Sequence, residues 1–283
     1  MTLILASACE TVAPESTAAL PTQTADVTAT ATPIPAPTPT PLPVATPMPT
    51  ATLTPTVAPS PSPAPEPIAA AFAKFEGGGV TVKFEGRFAV ISSSAVPNHS
   101  SPYFFKTDSR YQQYNGTNPS YAQNPNVIYA QTLVFRIPLK PEKATVIHPT
   151  PLGPIGIAIN GVPFFNQYAG PNSPLAFEIN SFDQYNGHPQ MFGMYHYHIE
   201  PLYLTTICGR DALLGYLLDG YPVYGPMEGG RLVTNADLDA SHGHTHTTKE
   251  YPGGIYHYHV TSEAPYINGV GFYGKATGSV GIR

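Results

Sequence analysis

The chain has 283 residues, of which 34 are proline, 25 glycine and 18 tyrosine, and it contains no tryptophan. Only 11% of the residues are charged, and the net charge of −5 comes without a clustered basic face, which argues against a nucleic-acid partner. No apolar run approaches the length of a membrane span.

The N-terminus, residues 1–9, resembles a bacterial lipoprotein signal. An apolar run beginning at Leu3 is followed by small residues and then Cys9, as in a lipobox, where the cysteine is lipidated and becomes the mature N-terminus. Because the apolar region is short and no basic residue precedes it, we expect the true start codon to lie upstream. Acyl chains on Cys9 would anchor the protein to the bacterial cell envelope, on the extracytoplasmic side. A disordered N-terminus without lipid is the alternative.

Residues 10–69 are rich in proline, threonine, alanine and serine, and about half of the prolines in the chain lie before Ile68. The segment has no helical or strand period, and proline removes backbone donors, so we predict a disordered, partly polyproline II tether. If Cys9 is lipidated, Cys208 is the remaining thiol and has no partner for an intramolecular disulfide.

Residues 70–283 have the size of one domain, and their sequence predicts mostly strands. Residues 80–91 and 127–137 are apolar with interspersed polar residues, and short helices are possible at 176–182 and around Leu213. Asn160-Gly161 and Asp219-Gly220, each between apolar arms, predict two hairpins. The expected fold is mainly β, a β-sandwich or a partly open barrel-like domain with long loops.

Three landmarks recur in the same order at nearly the same spacing. Gly156-x-x-x-Asn-Gly-x-Pro matches the sequence from Gly215 at an offset of 59, Asp183-x-x-x-Gly-His matches Asp239 at 56, and Tyr195-His-Tyr-His matches the sequence from Tyr256 at 61. Chance recurrence in a glycine-rich chain is the alternative for any one of them. Together they predict an internal duplication, with repeats at about 156–199 and 215–260.

The two Tyr-His-Tyr-His motifs carry the chemistry. On a strand, side chains alternate between faces, so the two histidines of each motif share one face and the tyrosines take the other. Such a pair can clamp a metal ion, and three or four neutral imidazoles suit zinc or copper. Each repeat adds a third histidine after a glycine, so the predicted ligands are His188, His196 and His198 in the first repeat and His244, His257 and His259 in the second. The clamps form either two three-histidine sites or one shared site.

Further polar residues are lesser candidates. Asp183 and Asp239 could ligate the metal or orient a histidine through its second ring nitrogen. Asp219 is better explained by its turn, which Asp-Gly favours. His99 lies in a Pro/Asn/Ser-rich loop, where we expect a place at the site or in solvent rather than in the core. The His-rich sequence after Ser241 leaves open which of three histidines matters; these are His242, His244 and His246.

The motifs as a set resemble the YHYH domain family. They include Pro97-Asn-His99, Asn-Gly-Val-Pro, Gly187-His-Pro, both Tyr-His-Tyr-His motifs and Leu-x-Asp-Gly-Tyr-Pro-Val-Tyr-Gly, and they cover residues 80 to the end. The resemblance implies a secreted or envelope-attached protein and points to the same histidines and aspartates, but it implies no reaction.

The leading interpretation is an envelope-anchored domain that binds copper or zinc through its His-x-His clamps. A closed four-ligand site would suit a carrier or a structural ion, whereas an open site would permit a metal-dependent hydrolase or oxidoreductase. A different class is a cell-surface carbohydrate-binding or adhesion module in which tyrosine and histidine form a structural polar network. Metal-free acid–base catalysis by a His–Asp pair is a further alternative. Besides the membrane, the partner would be a polysaccharide or a small molecule.

Overall fold

The computed structural model describes residues 66–77 and 79–282. The lipobox-like N-terminus with Cys9 lies outside these residues, and so does the predicted tether, except for residues 66–69, which begin the first helix. Within the described part of the chain, none of the helices has both the length and the apolar character needed to cross a membrane.

Two short α-helices and two 3₁₀ turns accompany sixteen strands in the described residues. The helices are α1 (Glu66–Phe72) and α2 (Leu202–Cys208), and the 3₁₀ turns are η1 (Glu178–Ser181) and η2 (Asn235–Asp237). The strands, in chain order, are β1 (Thr81–Glu85), β2 (Phe88–Ser93), β3 (Leu133–Pro138), β4 (Pro154–Ala158), β5 (Pro163–Phe165), β6 (Tyr168–Ala169), β7 (Ser173–Pro174), β8 (Gly187–Pro189), β9 (Tyr195–Tyr197), β10 (Leu213–Leu217), β11 (Pro222–Tyr224), β12 (Met227–Glu228), β13 (Arg231–Leu232), β14 (Gly243–His246), β15 (Ile255–His259) and β16 (Ser279–Ile282).

The strands form two large sheets and two ribbons. One sheet has the order β1-β2-β3-β16, the other has the order β14-β15-β11-β10-β4-β5-β9-β8, and β6-β7 and β12-β13 pair separately. One apolar cluster spans both large sheets, with Ile91 and Phe135 from the first and Ile157 and Phe164 from the second, all fully buried. The predicted mainly β fold is confirmed, and within the described residues neither large sheet closes into a barrel.

The eight-stranded sheet is symmetric about its centre. We call β9 and β15, which contain the Tyr-His-Tyr-His motifs, the clamp strands. Outwards from the antiparallel β4–β10 pair, each half has the second hairpin strand, then the clamp strand, then an edge strand; the order is β5-β9-β8 on one side and β11-β15-β14 on the other. The clamp strands pair in parallel with the hairpins, Phe164 opposite Tyr197 and Val223 opposite Tyr258. The two halves therefore correspond strand for strand at the offsets found in the sequence.

The glycines that begin the repeated hairpin motif lie where the two halves meet. A side chain at Gly156 would come within 2.4 Å of the Tyr216 carbonyl oxygen, and one at Gly215 within 2.2 Å of the Ile157 carbonyl oxygen. Only glycine permits this approach of the two backbones, which explains why both copies of the motif start with it.

Some local predictions differ from the structure. The region around Leu213 is strand β10, and its five residues are all buried, so the sheet rather than local propensity decides its conformation. Residues 176–182 contain only the 3₁₀ turn η1, and the helix α2 has no counterpart among the predicted elements.

Candidate metal centres

The clamp histidines lie on one face of their strands, and the neighbouring edge strands supply the third histidine. His188 on β8 is opposite His196 on β9, and His244 on β14 is opposite His257 on β15. Alternation along β9 and β15 brings the second clamp histidine of each motif to the same face. His188, His196, His198, His257 and His259 are buried, and His244 is partly buried.

The four motif tyrosines occupy the opposite face and anchor the clamp strands in the core. Each hydroxyl finds a polar partner: Tyr195 donates to Asp183 (2.8 Å), Tyr256 to Asp239 (2.8 Å) and Tyr258 to Asp219 (2.6 Å), whereas Tyr197 accepts from Asn160 Nδ2 (3.2 Å). The tyrosines thus form the polar network of the structural alternative.

Backbone carbonyls fix which ring nitrogen of each clamp histidine carries the proton. In the first repeat, His196 Nδ1 lies 3.1 Å from the Met194 oxygen and His198 Nδ1 lies 2.5 Å from the Asn166 oxygen. The second repeat has the same arrangement, with His257 Nδ1 bonded to Ile255 and His259 Nδ1 to Gly225, at 3.0 and 2.7 Å. A carbonyl oxygen only accepts, so Nδ1 is the donor and Nε2 of the neutral ring keeps a free lone pair.

The first centre consists of His188, His196, His198 and Glu178. His196 Nε2 lies 3.1 Å from His188 Nε2 and 3.0 Å from His198 Nε2. Glu178 Oε1, from η1, lies 3.3 Å from His188 Nε2. One ligand atom from each of the four residues lies within 4.8 Å of all the others.

The second centre consists of His244, His257, His259 and Glu228. His257 Nε2 and His259 Nε2 are 3.1 Å apart, and Glu228 Oε1 lies 3.3 Å from His257 Nε2. The other carboxylate oxygen of Glu228 lies 3.2 Å from His244 Nε2. These four residues meet the same 4.8 Å limit.

Burial keeps the clamp histidines neutral. It lowers the pKa of His198 and of His259 to about 4, and it lowers the pKa of His196 well below the ordinary value and that of His257 in the same direction. The free energy cost of charging an imidazole in the protein interior is the physical cause. At neutral pH the Nε2 atoms are therefore unprotonated, as metal ligands must be.

The ligand atoms fit a divalent ion. Metal–nitrogen bonds of about 2.0–2.1 Å place the nitrogens of a tetrahedral centre about 3.3 Å apart, close to the observed 3.0–3.1 Å. Two polar atoms of the centres, Glu178 Oε2 and His244 Nε2, are buried and make no hydrogen bond. Lone pairs that face one another without a donor between them repel, and a cation would remove that repulsion.

The structure forms two centres and not a shared one. The clamp strands β9 and β15 are separated in the sheet by β5, β4, β10 and β11, which at about 4.8 Å per strand puts them roughly 24 Å apart. Each clamp therefore meets the third histidine of its own repeat. The pseudo-two-fold axis relates the two centres and does not pass through either of them.

Both carboxylates were missing from the predicted ligands, and no spacing in the sequence points to them. Glu178 lies 18 residues before His196, whereas Glu228 lies 29 residues before His257. They also occupy different positions in the two repeats. At the hairpin offset of 59, Glu228 corresponds to Ala169, and at the loop offset of 56, Glu178 corresponds to Thr234.

The three aspartates among the lesser candidates accept hydrogen bonds from hydroxyl and backbone groups and not from a histidine ring, and Asp219 lies at the predicted turn. Asp183 accepts from Ser101, Tyr195 and the backbone of Tyr185 and Gly187, and Asp239 accepts from Tyr256 and two backbone amides of its loop. Asp219 accepts from Tyr258 and from the backbone of Tyr221 and Gly274. Burial raises the pKa of Asp183 and of Asp219 to about 6.

Two histidines among the lesser candidates also lie away from the centres. His99, expected at the site or in solvent, is buried against tyrosine rings, and its Nε2 lies 3.0 Å from the Tyr197 hydroxyl. His242 has a positive φ of 75° and contacts Asn235 and Thr261 through Nε2. His246 lies at the rim of the second centre, where its Nδ1 is 2.8 Å from Glu228 Oε2.

Each centre opens into a pocket. His196, His198 and Glu178 line a cavity of about 200 Å³, and His257, His259 and Glu228 line one of about 210 Å³. An ion bound at either centre would therefore face solvent on one side and could take a further ligand there.

A family model described as YHYH protein matches residues 134–231 and 227–271 of the chain. The match covers both hairpins, both loop motifs and both Tyr-His-Tyr-His strands, and it confirms the resemblance found in the sequence. No curated protein and no solved structure matches the chain.

Proposed function

This chain carries a YHYH-family domain across residues 134–271, and we propose that the domain binds two divalent transition-metal ions, one at each histidine–glutamate centre. Zinc and copper are the first candidates, because neutral imidazoles are their preferred nitrogen ligands.

The convergence of unprotonated Nε2 atoms carries the proposal. In both centres, backbone carbonyls accept hydrogen bonds from Nδ1 of the clamp histidines. The Nε2 lone pairs of the two rings then face each other at 3.0–3.1 Å beside a carboxylate. A packing network would place a donor opposite each acceptor, as the tyrosines and aspartates of this same domain do. The histidine arrangement favours a cation at the point where the lone pairs meet.

The origin of the carboxylates gives independent support. The two repeats carry their histidines at corresponding positions, but Glu178 comes from η1 and Glu228 from β12, at positions that do not correspond. Each repeat nevertheless has a centre formed by three histidines and one glutamate. A requirement for one anionic ligand per centre explains this result, whereas duplication alone does not.

The pockets favour an ion with an exchangeable ligand over a closed structural ion. Four protein ligands approach from the sheet and its loops, and the opposite side of each centre is open. Such an ion could activate water or hold a small molecule, so a metal-dependent hydrolase or oxidoreductase is the second candidate function.

We further propose that the domain works outside the cytoplasm, held to the envelope through lipidated Cys9 and the proline-rich segment that follows. The sequence pattern supports this proposal, which is independent of metal binding. Labelling cells with a radioactive fatty acid tests it: wild-type protein with its upstream region should incorporate label and sediment with membranes, and Cys9→Ser should do neither. Equal labelling of both proteins would contradict it.

Metal analysis of the untagged protein tests the main proposal. We expect two equivalents of metal per chain in protein purified without chelators, one in His196→Ala/His198→Ala, and one in His257→Ala/His259→Ala. His148→Ala, which removes an exposed histidine outside both centres, is the matched control and should keep two. If the wild-type protein takes up no stoichiometric zinc or copper after chelation and reloading, the proposal is wrong.

A further inference from the structure

The two centres share their histidine geometry but differ in the walls of their pockets. The strand register makes Phe165 and Tyr224 equivalent, because each ends the hairpin strand opposite the bulge. The same offset of 59 relates Leu152 of the first pocket to Asp211 of the second. At both pairs the first pocket has an apolar residue and the second a polar one.

Apart from its metal ligands, the first pocket is lined mainly by apolar side chains and glycines, with Gln190 as one polar residue. Leu152, Phe165 and Tyr168 line it, and the Phe165 ring stacks on the His196 ring with 3.9 Å between centroids. Glu178 is the one charged residue among those that line it in the described structure. Leu152 and Tyr168 are 45% and 41% exposed, so large apolar surface faces water beside the centre. Exposed apolar surface around a polar centre is typical of a binding mouth.

The second pocket presents charge and hydroxyl groups instead. Its lining includes Asp211, Lys249, Thr247 and Thr248 besides the metal ligands. The Tyr224 hydroxyl is bonded to Thr248 and to Glu250, both at 2.7–2.8 Å. An apolar molecule would have to desolvate these groups, which costs free energy.

The net charge of a metal-bound centre favours an anionic group as its additional ligand. A divalent cation, three neutral imidazoles and one carboxylate sum to a net charge of +1, so a monoanion would neutralise the centre. A carboxylate oxygen is a suitable ligand for zinc or copper on the open side. The apolar walls of the first pocket would then contact the hydrocarbon part of the same molecule.

We propose that the first centre is the binding site of a small organic carboxylate with an apolar body, held by its carboxylate on the metal ion and by its hydrocarbon part on Leu152, Phe165 and Tyr168. The second centre binds small hydrophilic anions without this preference. The inference rests on the proposed metal binding. The first cavity, about 200 Å³, is large enough for one ring, since an apolar cavity of about 150 Å³ takes up benzene.

Cobalt(II) loading with benzoate and acetate as probes tests the inference. The variant His257→Ala/His259→Ala isolates the first centre, and His196→Ala/His198→Ala isolates the second. Titration is followed by the visible absorption of the cobalt ion. We expect benzoate to bind the first centre about 10-fold or more tightly than acetate, from the apolar area buried, and the second centre to show no such difference.

Because Leu152 and Asp211 are at equivalent positions, exchanging their residue types gives a matched pair of variants. Leu152→Asp should abolish the benzoate preference of the first centre, and Asp211→Leu should create part of one at the second. Both residues are exposed, so the exchanges leave the core unaltered. Should an alanine variant fail to fold, glutamine at the same two histidines replaces it, with circular dichroism as the check.

The outcomes separate the two proposals. Cobalt binding with equal affinities for benzoate and acetate at the first centre would overturn this inference and leave metal binding intact. Absence of cobalt binding at both centres in folded protein would overturn metal binding and this inference with it.

Discussion

The Tyr195 hydroxyl donates a hydrogen bond of 2.8 Å to Asp183 Oδ2 in a site that excludes water, and this bond ties the clamp strand β9 to the loop before β8. The pair Tyr256–Asp239 repeats it in the second half. Alternation along the strand then leaves the histidines on the opposite face. The tyrosine half of the motif fixes the strand, and the histidine half is free to bind.

Asp183→Ala should destabilise the protein without removing a metal ligand. The substitution leaves the buried hydroxyls of Tyr195 and Ser101 without their acceptor, so we expect a loss of about 3 kcal/mol in the free energy of unfolding. Urea unfolding measures it, with Asp211→Ala at an exposed position as the control. The folded variant should still bind metal at the second centre, and an unchanged unfolding midpoint would show that Asp183 is not structural.

Metal binding should persist in mild acid. Burial lowers the pKa of the clamp histidines His198 and His259 to about 4, so protons compete with the metal for these two rings only as the pH falls toward that value. We expect the apparent Kd for zinc to stay nearly constant from pH 7 to about 5 and to rise steeply as the pH falls through 4. A rise centred near the ordinary histidine value of about 6.5 would contradict the buried, neutral state.

His99 should make the metal-free protein sensitive to acid. Burial lowers its pKa to about 4, so between pH 6.5 and 4 the unfolded chain binds a proton that the folded protein does not. Stability is therefore fully present above pH 6.5 and declines as the pH falls through 4, by about 3 kcal/mol for this group. The raised pKa of Asp183 and of Asp219, about 6, acts oppositely: their contribution is present at low pH and is lost as the pH rises through 6.

Denaturant unfolding with chelator at pH 7 and pH 5 checks this prediction. In His99→Gln the difference in unfolding free energy between the two pH values should shrink relative to wild type, whereas His148→Ala, at an exposed position, should leave it unchanged. An unaltered difference in His99→Gln would mean that His99 is protonated in the fold.

If the Glu178 carboxylate is removed from the first centre, a glutamate at the position equivalent to Glu228 should partly replace it. Glu178→Gln should weaken metal binding at the first centre at least 10-fold, because it removes the one anionic ligand. Adding Ala169→Glu, at the position equivalent to Glu228, should recover part of the loss. Ala169→Gln is the uncharged control, and isothermal titration measures each variant. No weakening in Glu178→Gln would show that the carboxylate is not a ligand.

His246→Ala should affect the second centre alone. His246 Nδ1 lies 2.8 Å from Glu228 Oε2 and holds that carboxylate from outside. Losing an outer partner of a ligand typically costs 10- to 100-fold in metal affinity, and because His246 is exposed we expect about 10-fold. The first centre, measured in the same titration, is the internal control. Equal weakening of both centres would indicate a general effect on the fold.

The histidine clamps and the two related halves could be predicted from the sequence, because they depend on the spacing of neighbouring residues. Alternation along a strand places His196 and His198 together, and the order of motifs at nearly constant offsets predicts two related halves. The Gly-His of each loop adds the third histidine, because an edge strand that follows such a turn pairs with the clamp strand. These relations are local, and local geometry is readable from spacing.

The number of centres and the identity of their carboxylate ligands depend on tertiary packing. The close β4–β10 contact at Gly156 and Gly215 joins the halves back to back, so four strands separate the clamps and each builds its own centre. Glu178 and Glu228 reach the histidines from a 3₁₀ turn and a ribbon at non-equivalent positions, and the packing of those segments, not any spacing, brings them there. His99 is buried for the same reason: the core closes over its loop, and no pattern of neighbouring residues encodes that contact.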